Sequence, residues 1–125
     1  MKEIIYVGIG GFAGSAGRYL ISKWLPPLGA AGTFPLGTFA VNLIGSLLIG
    51  FLAAILTKQS SNTLQLILIT GFCGGFTTFS TFSAEGLKLL RAGHTIPYFT
   101  YLGLSITGGL FCCMIGWWIA QKIAG

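Results

Sequence analysis

Apolar residues run in long stretches along this chain, and polar residues gather in the short gaps between them. No charge falls between Trp24 and Thr57, between Gln59 and Ala84, or between Thr95 and Gln121. A membrane-spanning helix needs about 20 mostly apolar residues, so each stretch supplies one. A further span runs from about Ile4 to Leu25, interrupted by Arg18 and Lys23. The pattern predicts an all-α membrane protein of one domain over 1–125, with helices at about 4–25, 36–57, 64–90 and 97–122. Turn-forming residues fill the gaps: Pro26-Pro27-Leu28-Gly29 through Pro35, Lys58 to Asn62, and Arg91 to Thr95. Pro97 suits the first turn of the last helix. A secretory signal is the competing reading of the first span. Arg18 breaks its apolar run and no Ala-x-Ala site precedes the second span, which argues against it.

Within the spans, small residues recur four apart. Gly10 and Gly14 form GxxxG in the first span, and Gly71 and Gly75 do so in the third. Ser46 with Gly50, and Ser105 with Gly109, repeat the pattern in the second and fourth. Such residues let helix backbones approach closely where lipid removes the hydrophobic drive for association. A bundle this small has little interior, so some of these faces are expected to serve a second subunit.

Composition agrees with the pattern. Charged residues make up 7% of the chain, against about 25% in a soluble domain. The formal net charge of +5 raises the question of a nucleic-acid partner. Its basic residues sit singly at span ends, where they snorkel to the interface, and no cluster follows a phosphate backbone. Four spans put both termini on one side. That side holds Lys2, Lys58 and Lys122, and the other holds Lys23, Lys88 and Arg91. With no excess on either side the positive-inside rule sets no orientation. Dual topology, and with it an antiparallel two-fold dimer, is one explanation; too few charges to read is the other. Cys73, Cys112 and Cys113 include no CxxC and read as small packing residues. His94, the sole histidine, lies in a loop, so one chain can assemble no histidine-based metal site or triad.

The third span holds the densest chemistry. From Gly71 to Ser83 it contains no Leu, Ile or Val. Its Gly74-Gly75 pair permits backbone conformations closed to other residues, which predicts a helix broken mid-membrane. Irregular backbone at that depth is tolerated only when buried in protein or lining water. The ends of half-helices attract ions of either sign. The competing reading is an unbroken helix whose hydroxyls bond their own carbonyls. In a helix, Phe76, Phe79 and Phe82 would share one stripe, and ring edges there would offer weak positive potential to a small anion. Asn42 in the second span requires a partner, either an anion or another helix. Arg18 is an intramembrane charge and so a functional candidate, with snorkelling as its rival. Glu85 and Lys88 lie three apart and are expected to neutralise each other.

These residues resemble a known family, the bacterial fluoride channels called Fluc or CrcB. The resemblance covers nearly the whole chain. It rests on Gly10-Gly11 through Arg18-Tyr19, on Gly37-Thr38 through Asn42, and above all on Gly71 through Glu85. It implies an antiparallel, dual-topology homodimer in the bacterial cytoplasmic (inner) membrane, with two pores that export fluoride passively. Family pores are lined by a helix 2 asparagine and two helix 3 phenylalanines, which fall on Asn42, Phe79 and Phe82. Ser80 and Thr81 match positions near the ion path, and Tyr101 and Ser105 match helix 4 positions beside it. Gly109 stands where some relatives carry a further hydroxyl, so the polar track on helix 4 is shorter here. The family also buries a structural sodium ion on backbone carbonyls, at positions falling on Gly74 and Thr77. Arg18 and Glu85 match family positions and are expected near a vestibule.

The implied function agrees with the residues. Fluoride is small and strongly hydrated, so a pore must supply hydrogen-bond donors in place of water. A ring of fixed positive charge, common in anion pores, is absent from the middle of the chain, where it would hold the ion too tightly. Three rivals fit less well. A proton-coupled drug exporter needs an acid in mid-helix 1, where this chain has Arg18. A membrane enzyme needs a base near its hydroxyls, and none is near in sequence. A purely structural subunit leaves the hydroxyl- and phenylalanine-rich run unexplained.

Overall fold

The computed structural model describes residues 1–26, 34–56, 62–77 and 79–124. The architecture is all-helical. Helix α1 is Lys2–Trp24 and α2 is Leu36–Leu56. Helix α3, residues 62–76, begins as Asn62–Leu64, widens to π geometry over Gln65–Cys73 and ends in one α turn, Gly74–Phe76. Helix α4 is Phe79–Arg91 and α5 is Thr95–Ala124. Four spans are long and apolar enough to cross a membrane, with α3 and α4 together supplying the third as Asn62–Arg91. The third span is broken, as expected.

The break does not lie at the glycine pair. Gly74 is helical (φ −64°, ψ −36°), and Gly75 follows it in the same turn. Thr77 is extended (φ −81°, ψ 154°) and ends α3. The glycines are needed for approach rather than for backbone freedom. A Cβ at Gly75 would sit 2.7 Å from the Gly11 carbonyl oxygen, and one at Gly71 would sit 2.7 Å from that of Val7.

The two GxxxG motifs face each other. A Cβ on Gly10 would lie 2.0 Å from the Ile67 carbonyl oxygen, and one on Gly14 would lie 2.2 Å from that of Phe72. Helices α1 and α3 therefore meet backbone to backbone. The other pair is α2 with α5, where Gly50 meets the Cys113 carbonyl and Gly116 meets that of Leu47, each 2.1 Å from where a Cβ would be. These small-residue faces bring helices of the same chain together.

Helix ends are closed by identifiable contacts. The Gln65 side chain donates from Nε2 to the Leu56 carbonyl at 3.2 Å, satisfying an end of α2. Helix α4 finishes in a Schellman turn: Gly93 takes φ 83°, and the His94 N–H reaches the Leu89 carbonyl at 2.8 Å. Lys88 and Arg91 in its last turn complement the helix dipole.

Candidate functional site

A groove of about 350 Å³ runs between α2, α4 and α5. Asn42, Gly45, Ser46 and Ile49 of α2 line one wall, Phe79 and Phe82 of α4 another, and Ser105 and Ile106 of α5 a third, with Thr77 at the break. Among the described residues no lysine or arginine lines it. The structure thus brings Asn42 and Ser105 together with Thr77, Phe79 and Phe82, three regions far apart in sequence. A second hollow of about 380 Å³ lies between α4 and α5 and shares Phe79, Phe82 and Ile106 with the first.

Tyr101 sits behind the phenylalanines. Its ring centroid is 4.9 Å from that of Phe82 and 5.5 Å from that of Phe34, edge-on at 85°. Phe82 in turn lies 6.0 Å from Phe79. The Tyr101 side chain is fully buried. Its hydroxyl and that of Ser105, one helical turn on, are buried without a hydrogen-bond partner in this chain. Burying an unpaired hydroxyl costs about 1–3 kcal/mol; Ser105 lines the groove, and Tyr101 lies one turn before it, against Phe82.

Other expected residues fall elsewhere. Ser80 is exposed and Thr81 is half-buried on α4, and neither lines the groove. Phe76 does not share a stripe with Phe79 and Phe82. The break lies between them, and Phe76 is buried instead, stacked on Phe72 at 5.6 Å. Glu85 is not paired with Lys88. Its carboxylate accepts a hydrogen bond from the hydroxyl of Thr38 on α2. Among the described residues the ion pair present joins the chain's N-terminus to Glu3. Arg18 is half-buried, and its Nε donates to the Gly75 carbonyl at 3.2 Å. It therefore neutralises the C-terminal end of α3 beside the break.

The same end carries Gly74 and Thr77, the positions expected to offer carbonyls to a hard cation. Gly74 is exposed, and no atom lies within 4 Å of where its Cβ would be. The extended Thr77 ends the helix there, so carbonyls of the last turn are released from the helical ladder. Carbonyl oxygen is the donor such an ion prefers. Among the described residues no cluster of His, Cys, Asp or Glu competes for a metal.

Sequence reasoning passed over Thr38, Gly45 and Phe34. Thr38 carried a signal, since a hydroxyl one turn before Asn42 in an apolar span requires a partner. Phe34 carried none, because its ring contact with Tyr101 joins residues far apart in sequence.

Comparison with known proteins follows the same lines. Residues 5–117 match the family model described as CrcB-like protein, Camphor Resistance (CrcB). A protein of Chlorobaculum tepidum named "Fluoride-specific ion channel FluC" is 47% identical over 123 residues, covering 97% of this chain and 96% of its own. Proteins of the same name from Bacteroides fragilis and Phocaeicola vulgatus are 46% and 41% identical, covering 98% and 97% of this chain and 98% and 100% of their own. Matched from the first span into the last, and at this level of identity, the chain belongs to the CrcB family.

Proposed function

We propose that the protein is a fluoride-selective channel that lets fluoride leave the cell passively across the bacterial cytoplasmic membrane. The observation that carries this reading is the pair of buried, unpartnered hydroxyls of Tyr101 and Ser105 beside a groove lined by Asn42, Phe79 and Phe82. Fluoride arrives with tightly held water, and each water removed must be replaced by a donor. Tyr101 and Ser105 supply O–H donors, the Asn42 amide supplies N–H donors, and the phenylalanine edges add weak positive potential. With no lysine or arginine among the described lining residues, binding stays weak enough for the ion to leave. The relatives named as fluoride-specific channels support the same conclusion.

The working unit is proposed to be an antiparallel, dual-topology homodimer with two pores. Balanced charge at the two membrane faces supports it. A structural sodium ion is proposed at the dimer centre, held by the carbonyls of Gly74 and Thr77. When bound it supplies positive potential without entering the pore. Ion efflux from liposomes holding the purified protein tests the channel reading. Fluoride efflux with chloride retained is expected; no fluoride flux, or equal chloride flux, refutes it. A C-terminal reporter is expected on both sides of the membrane, and its appearance on one side alone refutes dual insertion.

A further inference from the structure

Thr77 is held from two directions at the break. Its N–H and its hydroxyl both donate to the Cys73 carbonyl, at 3.0 Å and 2.8 Å. With the hydroxyl fixed, the methyl group has one direction left, and it points at α2. A Cβ placed on Gly45 would lie 2.1 Å from Thr77 Cγ2 and 3.3 Å from Phe76 Cδ2. The other tight glycines of α2 meet backbone: Gly37 meets Ser22 and Gly50 meets Cys113. Gly45 meets the side chain at the break, and it lines the groove beside that side chain.

We propose that Gly45 is a positioning residue: its missing side chain forms the notch that seats the Thr77 methyl, and this seat fixes where α4 begins. The inference rests on the channel reading and names how the pore is held in register. Asn42 lies three residues before Gly45 on the same helix face, and Phe79 lies two residues after Thr77. The contact therefore ties the Asn42 wall to the phenylalanine wall. Helix α4 has little else to fix its start, since it touches α2 and α5 sparsely compared with the α1–α3 and α2–α5 pairs. Restoring an ordinary carbon–carbon distance of about 3.6 Å would move the break by about 1.5 Å. Rotating the methyl away instead would break the hydroxyl's bond to Cys73. An error of about 1 Å at a site that must match an ion is enough to lose function.

The test uses Gly45→Ala and the double variant Gly45→Ala/Thr77→Ser. Serine keeps the hydroxyl and drops the methyl, so it empties the notch for the new Cβ. Fluoride efflux from liposomes, elution volume and thermal unfolding midpoint are measured for wild type, both variants and Thr77→Ser as reference. Gly45→Ala is expected to elute as wild type with flux down at least about tenfold, and the double variant to regain at least about tenfold over it. Wild-type flux in Gly45→Ala overturns the proposal, as does a double variant no faster than the single. If Gly45→Ala does not assemble, a double variant that also fails to assemble overturns it; recovered assembly with recovered flux supports it. A wild-type protein silent to fluoride refutes the channel reading alone. The pairing of Gly45 with Thr77 is then decided by whether the double variant regains the unfolding midpoint.

Discussion

Replacing Tyr101 with phenylalanine removes one oxygen and leaves the ring contacts with Phe82 and Phe34 in place. That oxygen is buried and has no partner in the chain. In fluoride-free buffer its removal is expected to raise the thermal unfolding midpoint, because an unpaired buried hydroxyl costs about 1–3 kcal/mol. In the conducting protein the same hydroxyl is expected to donate to the ion, and a hydrogen bond to a charged group contributes about 1.5–3 kcal/mol. Losing it corresponds to a flux reduction of about ten- to a hundredfold, at about 1.4 kcal/mol per tenfold. The two effects have opposite signs, which separates a working donor from a packing residue. The assay pairs fluoride efflux from liposomes with unfolding in detergent. Unchanged flux together with a lowered midpoint would refute the reasoning, since the hydroxyl would then be stabilising the fold and not meeting the ion.

Phe79→Ile and Phe82→Ile are each expected to cut fluoride flux while elution stays as in wild type; wild-type flux in both would mean that the rings only pack. For Phe82→Ile a stability loss of about 0.5–1.5 kcal/mol is added, read as a lowered midpoint, from its aromatic contacts with Tyr101 and Phe79. Gly10→Val is expected to cost about 3 kcal/mol or more, because its Cβ would meet the Ile67 carbonyl. The yield of monodisperse protein checks it, and a normal yield would contradict the tight α1–α3 contact. Thr38→Val removes the donor to the Glu85 carboxylate and is expected to cost about 1.5–3 kcal/mol of stability, read as a lowered midpoint, with Thr38→Ser restoring it.

The spans were legible because lipid imposes a length and a composition on any helix that crosses it. The GxxxG pairs were legible as contact faces, since a glycine repeat has few other uses in an apolar helix. Their partners were not, because spacing says that a face exists and says nothing of what meets it. The break was placed too early for a related reason. Gly74 and Gly75 suggested freedom, yet α1 requires them as helical small residues, while the extended backbone belongs to Thr77, a residue with no local demand for it. Its conformation is set from outside, by the notch at Gly45 on another helix. Asn42, Phe79 and Phe82 were candidates from their residue types and spacing, whereas Tyr101 and Ser105 were named from a family resemblance alone. The aromatic chain from Phe79 to Phe34 and the bond from Thr38 to Glu85 depend on tertiary placement and left no mark in spacing.

The pairing of helices also governs how the chain is made. Contacts form chiefly between α1 and α3 and between α2 and α5, so α1 and α2 both skip their nearest neighbours. During synthesis the N-terminal part emerges first, and α1 can close on α3 once the third span begins to enter. Helix α2 cannot close until the last helix arrives. Its Gly50 face must wait in lipid through the insertion of everything between. Late release of the final span is therefore the step at which both the bundle and the groove are completed, and a chain stalled before Thr95 would hold neither.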